Sequence, residues 1–242
     1  MSPTVTDAPQ RARRRRRGGE ATPKKPFLAE QLPWGAATYL DDPTQPIDAE
    51  GVEAIHNASM RILEEICILF LNDDALDVLK AAGCDVDYET KRVRMDRGFV
   101  AEMAEKAPAQ FTITPRNPDR EITVGGRHFN FGQVASAPNV MDLDRGRRVG
   151  NRADFQDLLR LSQAYNCMRF NCGYPVEPID IHASIRHLDA HYDILTLTDK
   201  VIHAYSLGPE RIEDVMEMVR IAGGMTAEEF ESRPHMFTNI NS

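Results

Sequence analysis

The sequence predicts an α/β protein. Residues 128–242 are predicted to form about four strands of an eight-stranded (β/α)8 TIM barrel, after a helical and small β region at 27–127. Strand-like and helix-like segments alternate from Phe129 onward at intervals of roughly 35 residues, which is typical of parallel strands joined by crossover helices. Each predicted strand also ends in hydrogen-bonding residues, as the strands of barrel enzymes do at their carboxyl ends.

Residues 1–26 are predicted to be a disordered basic tail. They hold eight Lys/Arg, including the run from Arg13 to Arg17, but only two Asp/Glu, and such a run of like charges does not pack into a core. The remaining chain holds 21 basic and 35 acidic residues, a net charge of −14. An acidic body argues against nucleic acid as the main partner, although the arginine run leaves a nucleic-acid contact open.

The region at 27–127 is predicted to combine three helices with a β element. The helices are placed at 47–71 with Asp48 as N-cap, at 74–82, and at 99–106 with Asp96 as N-cap. Extended segments follow at 111–114 and 121–124. Gly125-Gly126 is a tight-turn signal before a third extended segment at 128–131, and we expect a hairpin there.

The barrel region is predicted to contain strands at 129–132, 168–172, 201–206 and 236–241. The helices between them are placed at 153–165 with Asn151 as N-cap, at 184–196 and at 210–222. A doubly wound sheet is the competing architecture, but residues 132–136 lack the glycine-rich phosphate turn of that fold. Four strands are half a barrel, so we expect further chain after Ser242.

The four cysteines are too sparse for a disulfide framework, which favours free thiols in a reducing cytoplasm. Cys167 and Cys172 point to opposite faces of one predicted strand, so a shared metal site is not expected. No apolar run approaches the ~18–20 residues of a membrane span. The arginine-rich N-terminus is not followed by a signal-peptide core, so we expect a cytoplasmic protein without membrane contact.

Five residues at predicted strand ends are candidates for substrate binding. Tyr174 and Tyr205 could face an amine cation through their rings, or could simply be wall residues. Glu177, which follows the second strand with Asp180, could pair with a cation or be solvated. Asn239 and Asn241 share a face of the last strand and could hold a polar substrate or bond a neighbouring loop.

Two further patterns have a structural interpretation and a functional one. His187 and His191 lie four residues apart on one helix face, which could seed a zinc site, but no third ligand is evident. A helix-packing pair is the interpretation we favour. The charged turn at 142–148 is expected to hold acids and arginines that satisfy each other.

Six colinear segments resemble the trimethylamine methyltransferase family, and the resemblance as a whole covers about residues 27–242. They are 55–66 (IHNASMRILEEI), 139–148 (NVMDLDRGRR), 173–178 (GYPVEP), 195–200 (LTLTDK), 203–208 (HAYSLG) and 239–242 (NINS). The resemblance implies a TIM barrel of roughly twice this length. It also implies transfer of a methyl group from a methylated amine or betaine to the cobalt of a separate corrinoid protein.

Several expectations come with this resemblance. The methylcorrinoid (cobalamin) would be carried by the partner, so neither a directly bound cofactor nor a catalytic acid or base is assigned. The position that holds pyrrolysine in the founding members would lie beyond Ser242. Tyr174, Glu177, Tyr205, Asn239 and Asn241 would supply part of a dry pocket for the ammonium group, and a homo-oligomer is expected.

Two other interpretations remain open. One is an inactive half barrel that acts only in binding or oligomerisation, because a half barrel exposes strand edges and apolar faces. The other is a barrel enzyme of a different class that binds phosphate at a late strand.

Overall fold

The computed structural model describes residues 30–31, 33–35, 37–205 and 207–239, so the predicted basic tail at 1–26 lies outside the described residues. The chain divides into two compact units, 1–31 and 32–242, and all elements below belong to the second. The division predicted at 127/128 stays a prediction. None of the helices in the described ranges combines the length and apolar composition that crossing a lipid bilayer requires.

The second unit contains seven α-helices and twelve short strands among the described residues. The helices are α1 (Ala49–Arg61), α2 (Asp73–Ala81), α3 (Arg97–Glu105), α4 (Arg152–Ala164), α5 (Arg186–Leu197), α6 (Pro209–Ala222) and α7 (Ala227–Glu231). The strands are β1 (Ala37–Thr38), β2 (Ile68–Leu69), β3 (Asp85–Asp87), β4 (Arg92–Arg94), β5 (Gln110–Ile113), β6 (Ile122–Gly125), β7 (His128–Phe129), β8 (Phe131–Gly132), β9 (Asn139–Asp142), β10 (Gly146–Val149), β11 (Met168–Asn171) and β12 (Val201–Ile202).

Side-chain caps set the starts of the early helices. The carboxylate of Asp48 accepts the backbone N–H of Gly51 at 2.9 Å, and that of Asp96 accepts the N–H of Gly98 at 2.8 Å. Both N-caps predicted from the sequence are therefore confirmed. The first helix is shorter than predicted, because a π-helical turn at Ile62–Ile66 follows α1 and the chain then becomes extended in β2.

A small hydrophobic core lies between the first antiparallel sheet and helices α2 and α3. The antiparallel sheet β2-β4-β3 packs against α2 and α3. Leu76 of α2 and Val93 of β4 are fully buried at its centre. Helix α1 contributes no buried residue, and its apolar residues Val52 and Ile55 are exposed.

The turn predicted at Gly125-Gly126 is present, but its strands do not pair with each other as the predicted hairpin requires. β6 pairs with β5, in register from Gln110 opposite Gly125 to Ile113 opposite Ile122. β7, after the turn, pairs instead with β1.

Three parallel strands form the centre of the unit, in the order β8-β11-β12, which follows the chain. An isolated parallel bridge joins His203 to Phe237 on the far side of β12. The strands predicted at 201–206 and 236–241 are therefore represented by β12 and by this bridge. Helix α5 connects β11 to β12, and α6 with α7 leads from β12 to Phe237.

The two faces of the parallel strands are covered by different layers. On one face, Ile202 and Ala204 pack against the following buried residues of α4, α5 and α6: Phe155, Leu159, Ala190, Ile194, Val215 and Val219. On the other face, Phe170 and Val201 pack against Ile113 and Ile122 of the β5-β6 hairpin, together with Trp34, Val124 and Phe237. Parallel strands need this cover because both of their faces are apolar.

A buried polar network fastens β11 to the helices. The amide of Asn171, which is fully buried, donates to Thr198 Oγ1 at 2.8 Å and accepts from Ser162 Oγ at 3.3 Å. Arg152 of α4 makes two hydrogen bonds to the buried carboxylate of Asp193 in α5, at 2.8 and 3.0 Å. These pairs fix the helix layer because a buried polar group that loses its partner is costly.

Cations gather around Trp34 near the amino ends of β11 and β12. The guanidinium of Arg169 lies 4.1 Å from the centre of the indole ring, and that of Arg120 lies 4.6 Å from it. Burial lowers the pKa of Arg169, and the π-face of the indole offsets part of that cost. Lys200 is nearby, with its Nζ 5.7 Å from the same ring.

Lys200 stabilises the C-terminus of α4. It is 2% exposed, and its Nζ donates hydrogen bonds to the carbonyl oxygens of Ser162 and Tyr165, the latter at 2.8 Å. Burial lowers the pKa of its amine to about 8, and the nearby Arg120 adds to this effect. The ordinary value is 10.5, so unfolding takes up a proton between pH 8 and 10.5.

The substitution Lys200→Met tests this assignment. Because the folded state releases the proton, the wild-type protein should gain stability relative to the variant as the pH rises from 8 to 10.5. The gain should be on the order of 3 kcal/mol in the free energy of unfolding, measured by urea denaturation at each pH. A stability difference between wild type and variant that stays constant across this pH range would contradict the lowered pKa of Lys200.

Candidate functional site

A cavity of about 410 Å³ lies at the carboxyl ends of the three parallel strands. Ser136 follows β8, Tyr174 follows β11 and Tyr205 follows β12, so one loop from each strand reaches the cavity. The other lining residues are Glu177, Ala183, Arg186, His187, Leu207 and Arg211. Parallel strands bring their carboxyl ends to one edge, which is where α/β proteins bind ligands.

The hydroxyl group of Tyr205 joins these three loops. Its oxygen accepts the backbone N–H of Tyr174 at 3.0 Å and lies 2.7 Å from Ser136 Oγ. The backbone N–H of Ser136 in turn donates to the carbonyl of Tyr174 at 2.7 Å. The cavity wall is therefore held by hydrogen bonds between residues that are up to 69 positions apart in the sequence.

The turn after β11 requires glycine at position 173. Gly173 has a φ of +91°, which side-chain-bearing residues rarely adopt. A Cβ atom there would lie 2.5 Å from Cζ of Tyr205. The ring of Tyr205 thus packs directly on the backbone of Gly173, and this close approach places the tyrosine hydroxyl at the strand ends.

The two tyrosine rings meet edge to face, with centroids 4.8 Å apart. Tyr174 is 4% exposed and also contacts Phe155 and His191 edge to face. Burial raises the pKa of both Tyr174 and Tyr205. Both phenols therefore stay neutral at physiological pH and offer π-faces and hydroxyl groups, but no charge.

Charge in the cavity comes from one carboxylate and two guanidinium groups. The backbone N–H of Glu177 donates to Ala137, which fixes the loop, and its carboxylate lies 3.6 Å from Arg186. Arg186 also donates two hydrogen bonds to the carbonyl of Ile181, at 3.0 and 3.2 Å. Glu177 is thus an ion-paired side chain, and Arg211 of α6 adds a second positive charge.

The two histidines predicted on one helix face each have a hydrogen-bond partner within the protein. Nε2 of His187 lies 2.8 Å from Asp214, and Nδ1 of His191 lies 2.7 Å from the carbonyl oxygen of His187. Both rings are buried, and burial lowers the pKa of His191. Within the described ranges, no group of three His, Cys, Asp or Glu side chains is arranged to hold a metal ion.

Of the predicted asparagine pair, Asn239 does not line this cavity. Asn239 lines a second cavity of about 500 Å³, with Phe170, Phe237 and the β5-β6 hairpin. It shares the strand face of Phe237, which points toward that hairpin. Asn241 lies outside the described residues. Three of the five predicted site residues, Tyr174, Glu177 and Tyr205, therefore come together.

The remaining sequence candidates have structural partners. The carboxylate of Asp180 accepts the backbone N–H of Arg152 at 2.8 Å, at the start of α4. The charged turn closes the β9-β10 hairpin, where Asp142 pairs with Arg145 and Arg148 as predicted. Cys167 and Cys172 are free thiols, and burial raises the pKa of Cys172.

Ser136, Arg186 and Arg211 line the cavity but are not among the residues predicted from the sequence. Ser136 follows a predicted strand, so the rule that selected Tyr174 and Tyr205 could have found it. The two arginines lie on helices, in the first turns of α5 and α6. A helical arginine is ordinarily solvated, so no local signal marked them.

Comparison with known proteins gives a consistent result. The family model described as trimethylamine methyltransferase matches residues 11–242. The chain is 35% identical over 191 residues to a glycine betaine methyltransferase of Desulfitobacterium hafniense (strain Y51), covering 79% of this chain and 39% of that protein. A trimethylamine methyltransferase MttB of Desulfitobacterium hafniense (strain DSM 10664 / DCB-2) is 26% identical, with 79% and 38% covered.

A third relative is a proline betaine:corrinoid methyltransferase of Eubacterium limosum, 27% identical over 138 residues, with 55% of this chain and 27% of that protein covered. The chain thus spans about two fifths or less of the length of these curated relatives. The resemblance read from the six sequence segments is confirmed at the level of the family.

The close approach at Gly173 can be tested with a matched pair of glycine variants. Gly208 also has a positive φ, +106°, but a Cβ there meets no atom within 4 Å. Gly208→Ala should cost about 1–3 kcal/mol of stability from backbone strain alone. Gly173→Ala should cost about 1–3 kcal/mol more, because it also displaces the ring of Tyr205.

Urea denaturation of both variants measures this difference. The extra cost should shrink when Gly173→Ala is combined with Tyr205→Leu, which removes the ring atoms that clash. Equal costs for the two glycine variants would show that the contact with Tyr205 does not matter.

Proposed function

Because the chain belongs to the trimethylamine methyltransferase family, we propose that the complete protein transfers a methyl group from a methylated tertiary or quaternary amine to a corrinoid on a partner protein. The observation that carries this proposal is the family match over residues 11–242. The name of the Eubacterium limosum relative supports the corrinoid as methyl acceptor for that protein.

We also propose that the parallel strands belong to a (β/α)8 barrel in the complete protein. Their spatial order follows the chain, β8-β11-β12 and then Phe237, as in a singly wound barrel. A doubly wound sheet reverses its strand order at the ligand site. The cavity at the carboxyl ends, built from three successive loops, is where a barrel enzyme would bind its substrate.

The proposed reaction breaks a C–N bond of an ammonium ion, either a quaternary amine or a protonated tertiary amine, and the bonding electron pair stays on nitrogen so that a neutral amine leaves. A corrinoid on the partner protein would supply the electron pair for the new bond to the methyl carbon. The chain's own residues would hold and orient the amine: neutral Tyr205 and Tyr174 present π-faces that attract an ammonium group, and Glu177 adds a carboxylate. Exclusion of water would strengthen these contacts.

A second candidate function is binding or oligomerisation without catalysis. It is favoured by exposed apolar surface near the edge strand β8, where Phe129 and Phe131 stack 5.9 Å apart and are 45% and 57% exposed. Such surface promotes association between chains. Homo-oligomerisation is compatible with either function.

Variants at the cavity test the proposed catalytic function. Tyr205→Ala and Glu177→Ala in the complete protein should each lower kcat/KM at least about tenfold, because they remove the aromatic wall and the carboxylate. The assay follows methylation of cob(I)alamin, or of the purified corrinoid partner, by its absorbance change. Trimethylamine and N,N,N-trimethylglycine serve as methyl donors.

Matched controls are Tyr192→Ala and Glu213→Ala, which change exposed residues of α5 and α6 outside the cavity. These controls should keep wild-type rates. Unchanged turnover in both cavity variants would show that the pocket is assigned to the wrong residues.

Size-exclusion chromatography with light scattering tests the second candidate on the 242-residue chain. The exposed stack predicts self-association, which Phe129→Ser with Phe131→Ser should reduce. A wild-type chain that stays monomeric at high micromolar concentration would argue against an associating surface.

A further inference from the structure

The β9-β10 hairpin stands beside the cavity, on the loop that follows β8. At its base, the backbone N–H of Glu177 donates to the carbonyl oxygen of Ala137 at 2.9 Å, and the N–H of Gly150 donates to that of Pro138 at 3.2 Å. A Cβ atom on Gly150 would lie 2.7 Å from the carbonyl oxygen of Glu177. Because Glu177 lines the cavity, the base of the hairpin is fixed against the cavity wall.

Ion pairs hold one face of this hairpin on α4. The carboxylate of Asp142 in β9 lies 2.6 Å from the guanidinium of Arg148 in β10. Arg148 also pairs with the buried carboxylate of Asp154 in the first turn of α4, and Arg145 lies 3.3 Å from the same carboxylate. Val140 packs against the hydrophobic core from this face. The hairpin is therefore fixed in place by contacts on a single face.

Apolar and basic residues on the opposite side of the hairpin are uncovered. Strand alternation places Met141 directly opposite Arg147 on this side, with Val149 next to Arg147. Met141 is 73% exposed, Val149 is 52% exposed, and Leu143 at the tip is fully exposed. The two other arginines of the hairpin are ion-paired, but Arg147 forms no ion pair within the part of the chain that the structure describes. These four residues are the outer face of the hairpin.

The composition of the outer face suits the binding of another protein. Methionine and arginine are enriched in protein–protein interfaces, and arginines are frequent sources of binding energy there. Because ion pairs already fix the hairpin, binding on its outer face loses little conformational entropy. A partner surface that fits has an apolar patch with a carboxylate opposite Arg147.

We propose that the outer face is a docking surface for the partner protein that carries the corrinoid. This inference rests on the proposed function, because it names the contact that the partner of the same cavity makes. A corrinoid held by another protein reaches the cavity only if that protein contacts the loops that form it. The hairpin belongs to one of those loops, and its base is bonded to the loop of Glu177.

The small size of the outer face favours a transient partner over a second copy of the chain. A stable interface uses about 20–30 residues from each side and buries about 800 Å² per partner. Four side chains fall far short of that. A corrinoid carrier has to leave after each methyl transfer, so that an unmethylated corrinoid can take its place. Contacts of small area meet this requirement, because they dissociate quickly.

Steady-state kinetics of the complete protein with two methyl acceptors test the docking surface. One acceptor is free cob(I)alamin, and the other is the corrinoid-binding partner protein loaded with cob(I)alamin. Arg147→Glu, and separately Met141→Ser with Leu143→Ser, should each lower kcat/KM for the partner protein at least about tenfold, chiefly through KM. With free cob(I)alamin, both variants should stay within about twofold of wild type, because no docking is needed, and this also shows that they fold.

Matched controls change exposed residues outside the hairpin, Val78→Ser in α2 and Arg160→Glu in α4. They should leave kcat/KM unchanged for both acceptors. Raising the ionic strength should lower the kcat/KM of the wild-type protein for the partner protein more than that of Arg147→Glu. The reason is that the variant lacks the attraction that salt screens.

An unchanged kcat/KM for the partner protein in both variants would overturn the docking surface alone, since methyl transfer itself would stand. An equal loss with both acceptors would contradict it as well, because the hairpin would then only support the cavity. A changed oligomer size of the variants in light scattering would assign the outer face to a second copy instead. If the wild-type protein methylates neither acceptor, the proposed function fails, and weaker calorimetric binding of the partner protein by Arg147→Glu would still support docking.

Discussion

The arrangement of this protein depends on the need to cover both faces of its parallel strands. Hydrogen bonds join β8, β11 and β12 side by side, and the apolar side chains on the two faces of β11 and β12 have to be buried away from water. Helices α4, α5 and α6 bury one face around Ile202, and the β5-β6 hairpin buries the other around Phe170. The polar side chains of the cavity lie on the loops that follow these strands and on the helices that cover them.

The same constraint explains where polar chemistry collects. Apolar packing occupies much of the strand faces, and the polar side chains of the cavity come from the carboxyl ends, where the loops cross from sheet to helix. There the backbone turn at Gly173 lets the ring of Tyr205 approach closely, and the hydroxyl of Tyr205 ties three loops together. The result is a wall of neutral phenols beside two guanidinium groups, those of Arg186 and Arg211.

Local signals in the sequence predicted much of the fold. The N-caps at Asp48, Asp96 and Asn151 are present, since a cap is decided by the few residues around it. Strand β11 and helix α6 begin and end close to their predicted positions. The predicted pairing across Gly125-Gly126 was wrong, because β6 pairs with β5 and β7 pairs with β1, and such pairings join segments that no local pattern connects.

The sequence by itself determined the order of elements, the helix caps, membership of the family and the placement of tyrosines after two parallel strands. Periodicity, capping and turn chemistry act over a few residues, so the chain carries them locally. Only the tertiary structure decided that Glu177 is paired with Arg186, that Arg211 faces the same cavity and that Asn239 lines a different one. Those relations join residues from separate elements, and they depend on side-chain direction and packing, which no local pattern specifies.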